Sequence, residues 1–506
     1  MAVRKTIKTT TSRTANAAGA AAYSLPDQER LVTGVLTCFF NEPKSYGDTS
    51  KELVESARRV IAQDPEFVAK LACYARNEFH MRTISQVLAA EVAHGARGNQ
   101  IVRKMTRKVI ERPDDMTNIL AYHFDTWGPR KNGNPVPRSL RRGIADAFHK
   151  FDEHRLAKYK GDKGLVKLRD ALLITRPKPS SKEQGEMWKR LIEGNLAIPE
   201  TRETILSEKG QSKKVWEEFI DSGKMGYFAM VRNLGNFMKN GISDAHWAKV
   251  CTRLADPKAV ERSKLVPFEF YKAYKFINKD HIQYRQYKNV VAALESAIQA
   301  SSKNLPHLSG TTYMTADESG SMHSPLSAKS NLQYKEVGNL LMAISAGFCD
   351  KSIVTVFGDT TAEVSLKETD GVLKKMEEIE LVGSRVGQLT MLNTAIADLN
   401  KRGEKVDRII VFSDMQAYDH DLGNYGWVSK GRAKITSVEA GLDEYRRNVN
   451  PDIWVHSIDL AGHGTIQVKG PKVNLIAGWS DKSLEFIKLA EDAQGSLIEK
   501  IRSYEI

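Results

Sequence analysis

Asp317, Ser319 and Ser321 stand at alternate positions in Tyr313-Met314-Thr315-Ala316-Asp317-Glu318-Ser319-Gly320-Ser321, directly after a short apolar run. One carboxylate and two hydroxyls on a turn at the end of a strand supply hard oxygen donors. Such donors suit a divalent cation, Mg²⁺ above all, which prefers octahedral oxygen and keeps some of its waters. Two later segments add donors of the same kind: Thr390 precedes a helix start, and Arg408-Ile409-Ile410-Val411-Phe412-Ser413-Asp414 ends an apolar run in an aspartate. The alternative use of these residues is local, with Ser and Thr capping helices and the aspartates closing turns. A Ser/His hydrolase built on Ser319, Ser321 and His323 is disfavoured, because the histidine sits on the same turn and no acid is placed to orient it. The chain has no G-x-x-x-x-G-K-[ST], H-E-x-x-H or G-x-S-x-G motif. With one ion and no positioned base, this site predicts binding rather than catalysis.

The elements that must position these residues alternate in type. After about residue 308, candidate strands at 311–316, 352–357, 408–412 and 453–460 are separated by amphipathic stretches such as 332–346 and 392–400. Strand and helix in alternation predict a parallel, doubly wound sheet, and such sheets bind ligands at the carboxyl ends of their strands, where Asp317 and Asp414 fall. Before residue 308 the texture is helical. Leu31, Val32, Val35, Leu36, Phe39 and Phe40 share a face, as do Leu53, Val54, Ala57, Val60 and Ile61; further helices are expected through 67–79, 84–94 and 101–110. Asp64-Pro65 reads as a helix start, with Asp64 the cap and Pro65 the first helical residue. Short helices each burying one stripe predict a helical-repeat solenoid. Residues 1–24 carry basic residues and no acid, and are expected to be a flexible basic arm, with a transit peptide as the second reading. The expected division is therefore an arm at 1–24, a helical domain at 25–305 and an α/β domain at 306–506, with 301–307 as linker.

The chain has 506 residues, 75 Lys+Arg and 62 Asp+Glu, so its net charge is +13, and that charge is unevenly placed. Residues 1–310 hold 53 basic against 34 acidic side chains, a net of +19, which leaves 22 against 28 and a net of −6 for the remainder. A surface with that excess of positive charge attracts phosphate through counterion release, whereas the acidic part should avoid it. Residues 130–169 concentrate the effect, with twelve Lys or Arg against four acids, interleaved with Phe148, Phe151 and Tyr159. The four cysteines are scattered with no C-x-x-C, which predicts reduced thiols in a cytoplasmic protein. No apolar run approaches the roughly 18 residues of a membrane span, so no membrane partner is expected.

The order D-x-S-x-S, then Thr, then a strand-terminal Asp resembles the metal-ion-dependent adhesion site of von Willebrand factor A domains. The resemblance implies that Asp317, Ser319, Ser321, Thr390 and Asp414 hold the ion, directly or through waters. The whole layout, a basic helical module and then such a domain, is similar to the Ro autoantigen family, whose first module is the TROVE domain. The phrases that carry this are Leu71-Ala72-Cys73-Tyr74-Ala75-Arg76-Asn77-Glu78 with Arg82-Thr83, and Pro137-Arg138-Ser139-Leu140-Arg141-Arg142-Gly143-Ile144-Ala145-Asp146-Ala147. Leu156-Ala157-Lys158-Tyr159-Lys160, Pro177-Lys178-Pro179 and Pro267-Phe268-Glu269-Phe270-Tyr271-Lys272-Ala273-Tyr274 complete them.

What the resemblance implies is a mixed fold: an all-α, HEAT-like helical-repeat ring followed by a doubly wound α/β von Willebrand A domain. It implies a non-enzymatic RNA-binding protein, a scaffold or quality-control factor for small noncoding RNA. Structured, Y-like RNA would bind the basic outer surface, and single-stranded 3′ ends of misfolded RNA would enter the ring. Arg138, Arg141, Arg142, Lys158, Lys160, Lys163 and Arg176 are the expected RNA contacts. Arg176 stands where the family can have histidine. At the metal site the implied partner is a protein with an exposed Asp or Glu, an exoribonuclease for example. The chain departs from the family pattern after Asp414, where Met415-Gln416-Ala417-Tyr418 follows with Asp419 and Asp421 nearby. A competing function of another class is a metal-dependent adhesion or scaffold module without an RNA role; a third, an accessory to a metal chelatase, would need an ATPase partner.

Overall fold

In the computed structural model the described residues are 12–15, 21–24, 26–37, 48–128, 136–159, 164–197, 212–223, 225–280, 286–302, 305–326, 332–415, 437–461, 465–466, 468, 470, 472–477, 482–492 and 497–506. Packing divides the chain into two compact units. One is Asp27–Ile205 with Ser496–Ile506; the other is Met1–Pro26 with Leu206–Gly495. The division at 205/206 falls inside the stretch 25–305 that the sequence suggests is one domain.

The first unit is helical. Asp64 caps the Pro65–Asn77 helix as its spacing predicts, accepting the Phe67 N–H at 3.0 Å with Pro65 at the first helical position. The helices Arg82–Gly95, Gln100–Val109, Pro113–Trp127, Arg138–Phe148, Leu168–Thr175 and Lys182–Glu193 follow. Their common fastening is Asp115, which is fully buried. Its carboxylate accepts from Arg82 Nε at 2.6 Å, Gln86 Nε2 at 2.6 Å and Arg76 Nη2 at 3.3 Å, and from the backbone N–H groups of Glu111 and Arg112 at 3.0 and 2.9 Å. Burial alone would raise this carboxyl, but Arg82 and Arg76 outweigh it and hold the group below its usual range. Arg76 also donates to the Val109 carbonyl at 3.1 Å, and Lys150 donates to the Ile110 carbonyl at 2.8 Å, so the end of the Gln100–Val109 helix is satisfied by side chains. Gly143 then lets the Arg138–Phe148 helix lie against it, since a Cβ there would stand 2.6 Å from Thr106 Cβ and 2.9 Å from the Arg103 carbonyl oxygen. The chain's last residues belong to this unit: Arg502 pairs with Asp64 at 3.0 Å, and Tyr504 donates to Glu78 at 3.1 Å.

The second unit holds the helices from Lys213–Asp221 to Tyr287–Ser302 and a six-stranded sheet. With β1 Ser12–Ala15, β2 Ala21–Ser24, β3 Leu308–Asp317, β4 Cys349–Phe357, β5 Thr361–Glu363, β6 Arg408–Ser413, β7 Trp454–Asp459, β8 Thr465–Ile466 and β9 Val473–Ala477, the sheet order is β5-β4-β3-β6-β7-β9. All pairings are parallel except the short edge strand β5. Tyr313, Ile409, Val411 and Val455 join Leu392, Ile396, Leu399, Leu442 and Tyr445 in one core. Across the sheet Gly338 of the Tyr334–Ser345 helix lies beside Phe412 and Leu460. Helices thus cover both faces, which is why every residue of β6 is buried. The mixed fold class expected from the sequence, an all-α region followed by a doubly wound α/β region, is the fold observed. Within 1–24, read as a flexible arm, β1 and β2 pair antiparallel and β2 pairs with β8.

Two outcomes follow for stability. Asp115→Ala should cost about 3–5 kcal/mol by leaving Arg76 and Arg82 facing a buried gap; denaturant unfolding checks it, and a loss below about 1 kcal/mol contradicts it. On the Lys482–Asp492 helix, burial would raise the Glu491 carboxyl, but hydrogen bonds from His456 at 3.0 Å and from Arg408 Nε and Nη2 at 2.7 and 2.9 Å bring it down to about 2. A depressed folded value means stability that is full above the unfolded value and lost as pH falls towards about 2. Glu491→Gln should therefore destabilise at neutral pH and flatten the acid limb of the stability profile between about pH 4.5 and 2, measured by unfolding at a series of pH values.

Candidate functional site

The sheet's chain path reverses at β3: β4 and β5 lie on one side of it, β6, β7 and β9 on the other. The carboxyl ends of β3 and β6 flank that switch point, the place where doubly wound sheets bind ligands. Asp317 ends β3 and is fully buried, and Asp414 follows β6 and is nearly so. The Ser319 N–H donates to Asp317 Oδ1 at 2.9 Å, and the Ser319 and Ser321 hydroxyls lie 3.2 Å apart. Thr390, also buried, sits in a segment fixed to this turn by the Gly320 N–H donating to the Gln388 carbonyl at 2.9 Å. The structure therefore brings Asp317, Ser319 and Ser321 into contact, places Asp414 close enough to act on Asp317 electrostatically, and ties the Thr390 segment alongside. Burial first, and then the Asp414 charge, push the Asp317 carboxyl up to about 7.

Two residues of this site escaped the sequence reading. Ser413 donates its hydroxyl to Asp317 Oδ2 at 2.6 Å and accepts the Met415 N–H at 3.0 Å, which fixes the carboxylate from the neighbouring strand. Asp459 ends β7, in register with Ser413, and is fully buried. A strand-terminal position beside Asp414 was the only signal for the first, and strand register, invisible in one sequence, is what places the second. Among the described residues no three His, Cys, Asp or Glu side chains cluster as a metal site. A cation here would rely on mixed hydroxyl and carboxylate oxygens, a donor set that fits a hard divalent ion. The departure after Asp414, including Asp419 and Asp421, lies outside the described residues.

The basic face belongs to the other unit. Leu140, Gly143, Ile144, Ala147 and Phe148 make the buried stripe of the Arg138–Phe148 helix, which leaves Arg138 and Arg142 exposed and Arg141 half-buried. The buried Arg141 Nε has no hydrogen-bond partner among the described residues. Lys158, exposed, lies over the Tyr159 ring at 5.4 Å, with Arg112 over the same ring at 4.4 Å. Arg176 is exposed and takes the left-handed backbone conformation, φ 51°, that ends the Leu168–Thr175 helix. None of Arg138, Arg141, Arg142, Lys158 and Arg176 forms an ion pair among the described residues. Lys160 and Lys163 lie outside them. Of the interleaved aromatics, Phe148 and Phe151 are core residues and only Tyr159 is partly exposed. Arg76 and Arg82, prominent in the phrases that carry the resemblance, brace Asp115 instead of facing solvent as free cations.

A profile of the TROVE domain matches residues 38–195 and 189–318. Telomerase protein component 1 of Rattus norvegicus is 25% identical over 333 residues, half of this chain, and that of Mus musculus is 26% identical over 334 residues. The chain spans only 13% of the length of these relatives. Among solved structures, the Ro (RSR) protein of Deinococcus radiodurans superposes with a TM-score of 0.63 at 16% identity, covering 92% of this chain and 99% of that one, a likeness of fold. With the family profile spanning more than half of its residues, the chain belongs to the TROVE-domain family and has the fold of a Ro protein.

Proposed function

We propose that this protein binds RNA without acting on it chemically, holding small structured noncoding RNA by its phosphates and accepting single-stranded 3′ ends of misfolded RNA in a ring of helical repeats. The observation that carries the reading is the run of exposed basic side chains at Arg138, Arg142, Lys158 and Arg176, unpaired among the described residues of a TROVE-domain chain. Basic surface side chains in globular proteins commonly sit opposite acids, as Arg103 does opposite Asp146 here. Side-chain cations without counter-charges are available to neutralise nucleic-acid phosphates, and each phosphate neutralised releases counterions condensed on the nucleic acid. Arg141, with a donor unpartnered among the described residues, belongs to the same set of contacts, and Lys160 and Lys163 are proposed as further contacts from the sequence alone. The role is that of a scaffold or RNA quality-control factor in the cytoplasm; among the described residues no helix is long and apolar enough to cross a membrane.

For the α/β region we propose a von Willebrand A-like cation site. Asp317, Ser319, Ser321, Thr390 and Asp414 would hold Mg²⁺, with Ser413 orienting the Asp317 carboxylate. The ion would supply a coordination position for the carboxylate of a protein partner such as an exoribonuclease. The buried carboxyl and hydroxyl oxygens at the switch point support this.

Replacing Arg138, Arg142, Lys158 and Arg176 together by Glu should weaken RNA binding across sequences. It should also reduce the slope of log affinity against log salt by roughly 0.7–0.9 for each phosphate no longer neutralised. Unchanged affinity at every salt concentration in a filter-binding series would place the RNA elsewhere. Asp317→Ala should abolish Mn²⁺ binding, followed by electron paramagnetic resonance, because hydroxyls alone cannot balance a divalent charge. RNA affinity should survive that change, since the acidic part of the chain repels phosphate. An Asp317→Ala protein that folds and still binds Mn²⁺ at wild-type strength refutes the ligand set.

A further inference from the structure

The helices Tyr227–Arg232 and Leu234–Lys239 have Asn233 alone between them, and residues 225–243 contain Arg232 and Lys239 but no acid. Tyr227, Met230, Val231, Leu234, Phe237 and Met238 are buried. What remains on the outside is one stripe, Phe228, Arg232, the half-buried Asn236 and Lys239, at the three- and four-residue steps of a helix face. Asn233 ties the two helices together, donating from Nδ2 to the Ala229 carbonyl at 2.6 Å and accepting from Asn236 Nδ2 at 2.8 Å. Phe228 is 40% exposed, and the Arg232 guanidinium lies over its ring at 5.5 Å. A second ring joins the stripe from the Pro267–Asp280 helix. Phe276 lies on Gly235, where a Cβ would overlap Phe276 Cε1 and stand 2.8 Å from Cδ1, yet Phe276 is 51% exposed. Gly235 falls three residues after Arg232 and four before Lys239, so this ring lies over the turn that separates the two cations.

We propose that this stripe is a track for the unpaired bases of single-stranded RNA, with Phe228 and Phe276 as stacking faces and Arg232 and Lys239 on the phosphates between them. The inference rests on the RNA-binding reading above and adds a base contact to it, on the unit that does not carry Arg138, Arg142, Lys158 and Arg176. Its chemistry is that of sequence-tolerant strand binding, in which every base has a π face to lay on a ring and cations at intervals follow the backbone. Neither Arg232 nor Lys239 forms an ion pair among the described residues, so both can neutralise phosphate. A protein-docking patch is the poorer match: the core of such an interface is depleted of charge, whereas here each ring is followed by a cation. Duplex RNA presents no free base face to these rings, because its bases are stacked on one another, so the track selects unpaired strand.

Fluorescence anisotropy on the full chain, with a labelled single-stranded oligoadenylate, an abasic strand of the same length and a blunt RNA duplex, separates base contacts from phosphate contacts. The wild type should bind the oligoadenylate more tightly than the abasic strand. Phe228→Ala and Phe276→Ala should each weaken oligoadenylate binding on the order of tenfold, the loss of one base stack, and leave the abasic strand and the duplex bound as in the wild type. Phe228→Trp should keep oligoadenylate binding, since any aromatic face serves, and Arg232→Gln should weaken both single strands. Wild-type protein that does not distinguish the two strands would overturn the track while leaving the phosphate face standing. Alanine variants that bind oligoadenylate at wild-type strength would do the same and would leave the stripe to a protein partner. Wild-type protein that binds neither strand nor the duplex would remove the RNA-binding reading and this inference with it.

Discussion

Asp115 is a charge with no water around it, and the helical unit is arranged to keep it ionised. Two guanidinium groups, one amide and two backbone N–H groups converge on its two oxygens. Removing any of them from a buried carboxylate is costly, so the helices that carry them are held in one mutual arrangement. Arg76 extends the constraint to the end of the Gln100–Val109 helix. Gly143 lets the Arg138–Phe148 helix close against that same helix. The exposed positions of Arg138 and Arg142 are thus the far consequence of where one aspartate is buried: with the apolar stripe and the small residue turned inward, the basic stripe faces out.

Charge separates the two proposed sites along the chain. Residues 1–310 carry the positive excess; residues 311–506 carry the acidic remainder, and their sheet gathers carboxyl and hydroxyl oxygens at its switch point. The two chemistries exclude one another, since an acidic strand-end site repels RNA and a basic helix face repels a cation.

Much of this was legible before any coordinates. Asp64-Pro65 announced its helix because capping is local, and β3, β4, β6 and β7 announced themselves as short segments rich in β-branched, aromatic and apolar residues between helical stretches. Their expected spans fall within a few residues of the observed ones. Asp317, Ser319 and Ser321 were legible because a turn fixes alternate donors in sequence. Ser413 and Asp459 were not, because their roles depend on strand register. The short strands β5 and β9 and the Val372–Gly383 helix were missed as well; β5 is a three-residue edge with no apolar pattern. Charge and aromatics carry the clearest lesson. Phe148 and Phe151, interleaved with basic residues in the sequence, are the buried counterpart of the exposed cations on amphipathic segments. Arg76 and Arg82 count towards net charge, but their charge is spent inside the fold on Asp115.

The central claim is that RNA lies on the basic helix face. Ultraviolet crosslinking of the purified protein with its copurified RNA, followed by mass spectrometry of the crosslinked peptides, tests it directly. The account predicts crosslinks within 138–176, on the peptides carrying Arg138, Arg142, Lys158 and Arg176. Crosslinks confined to 306–506, or a protein that carries no RNA at low salt, would contradict it.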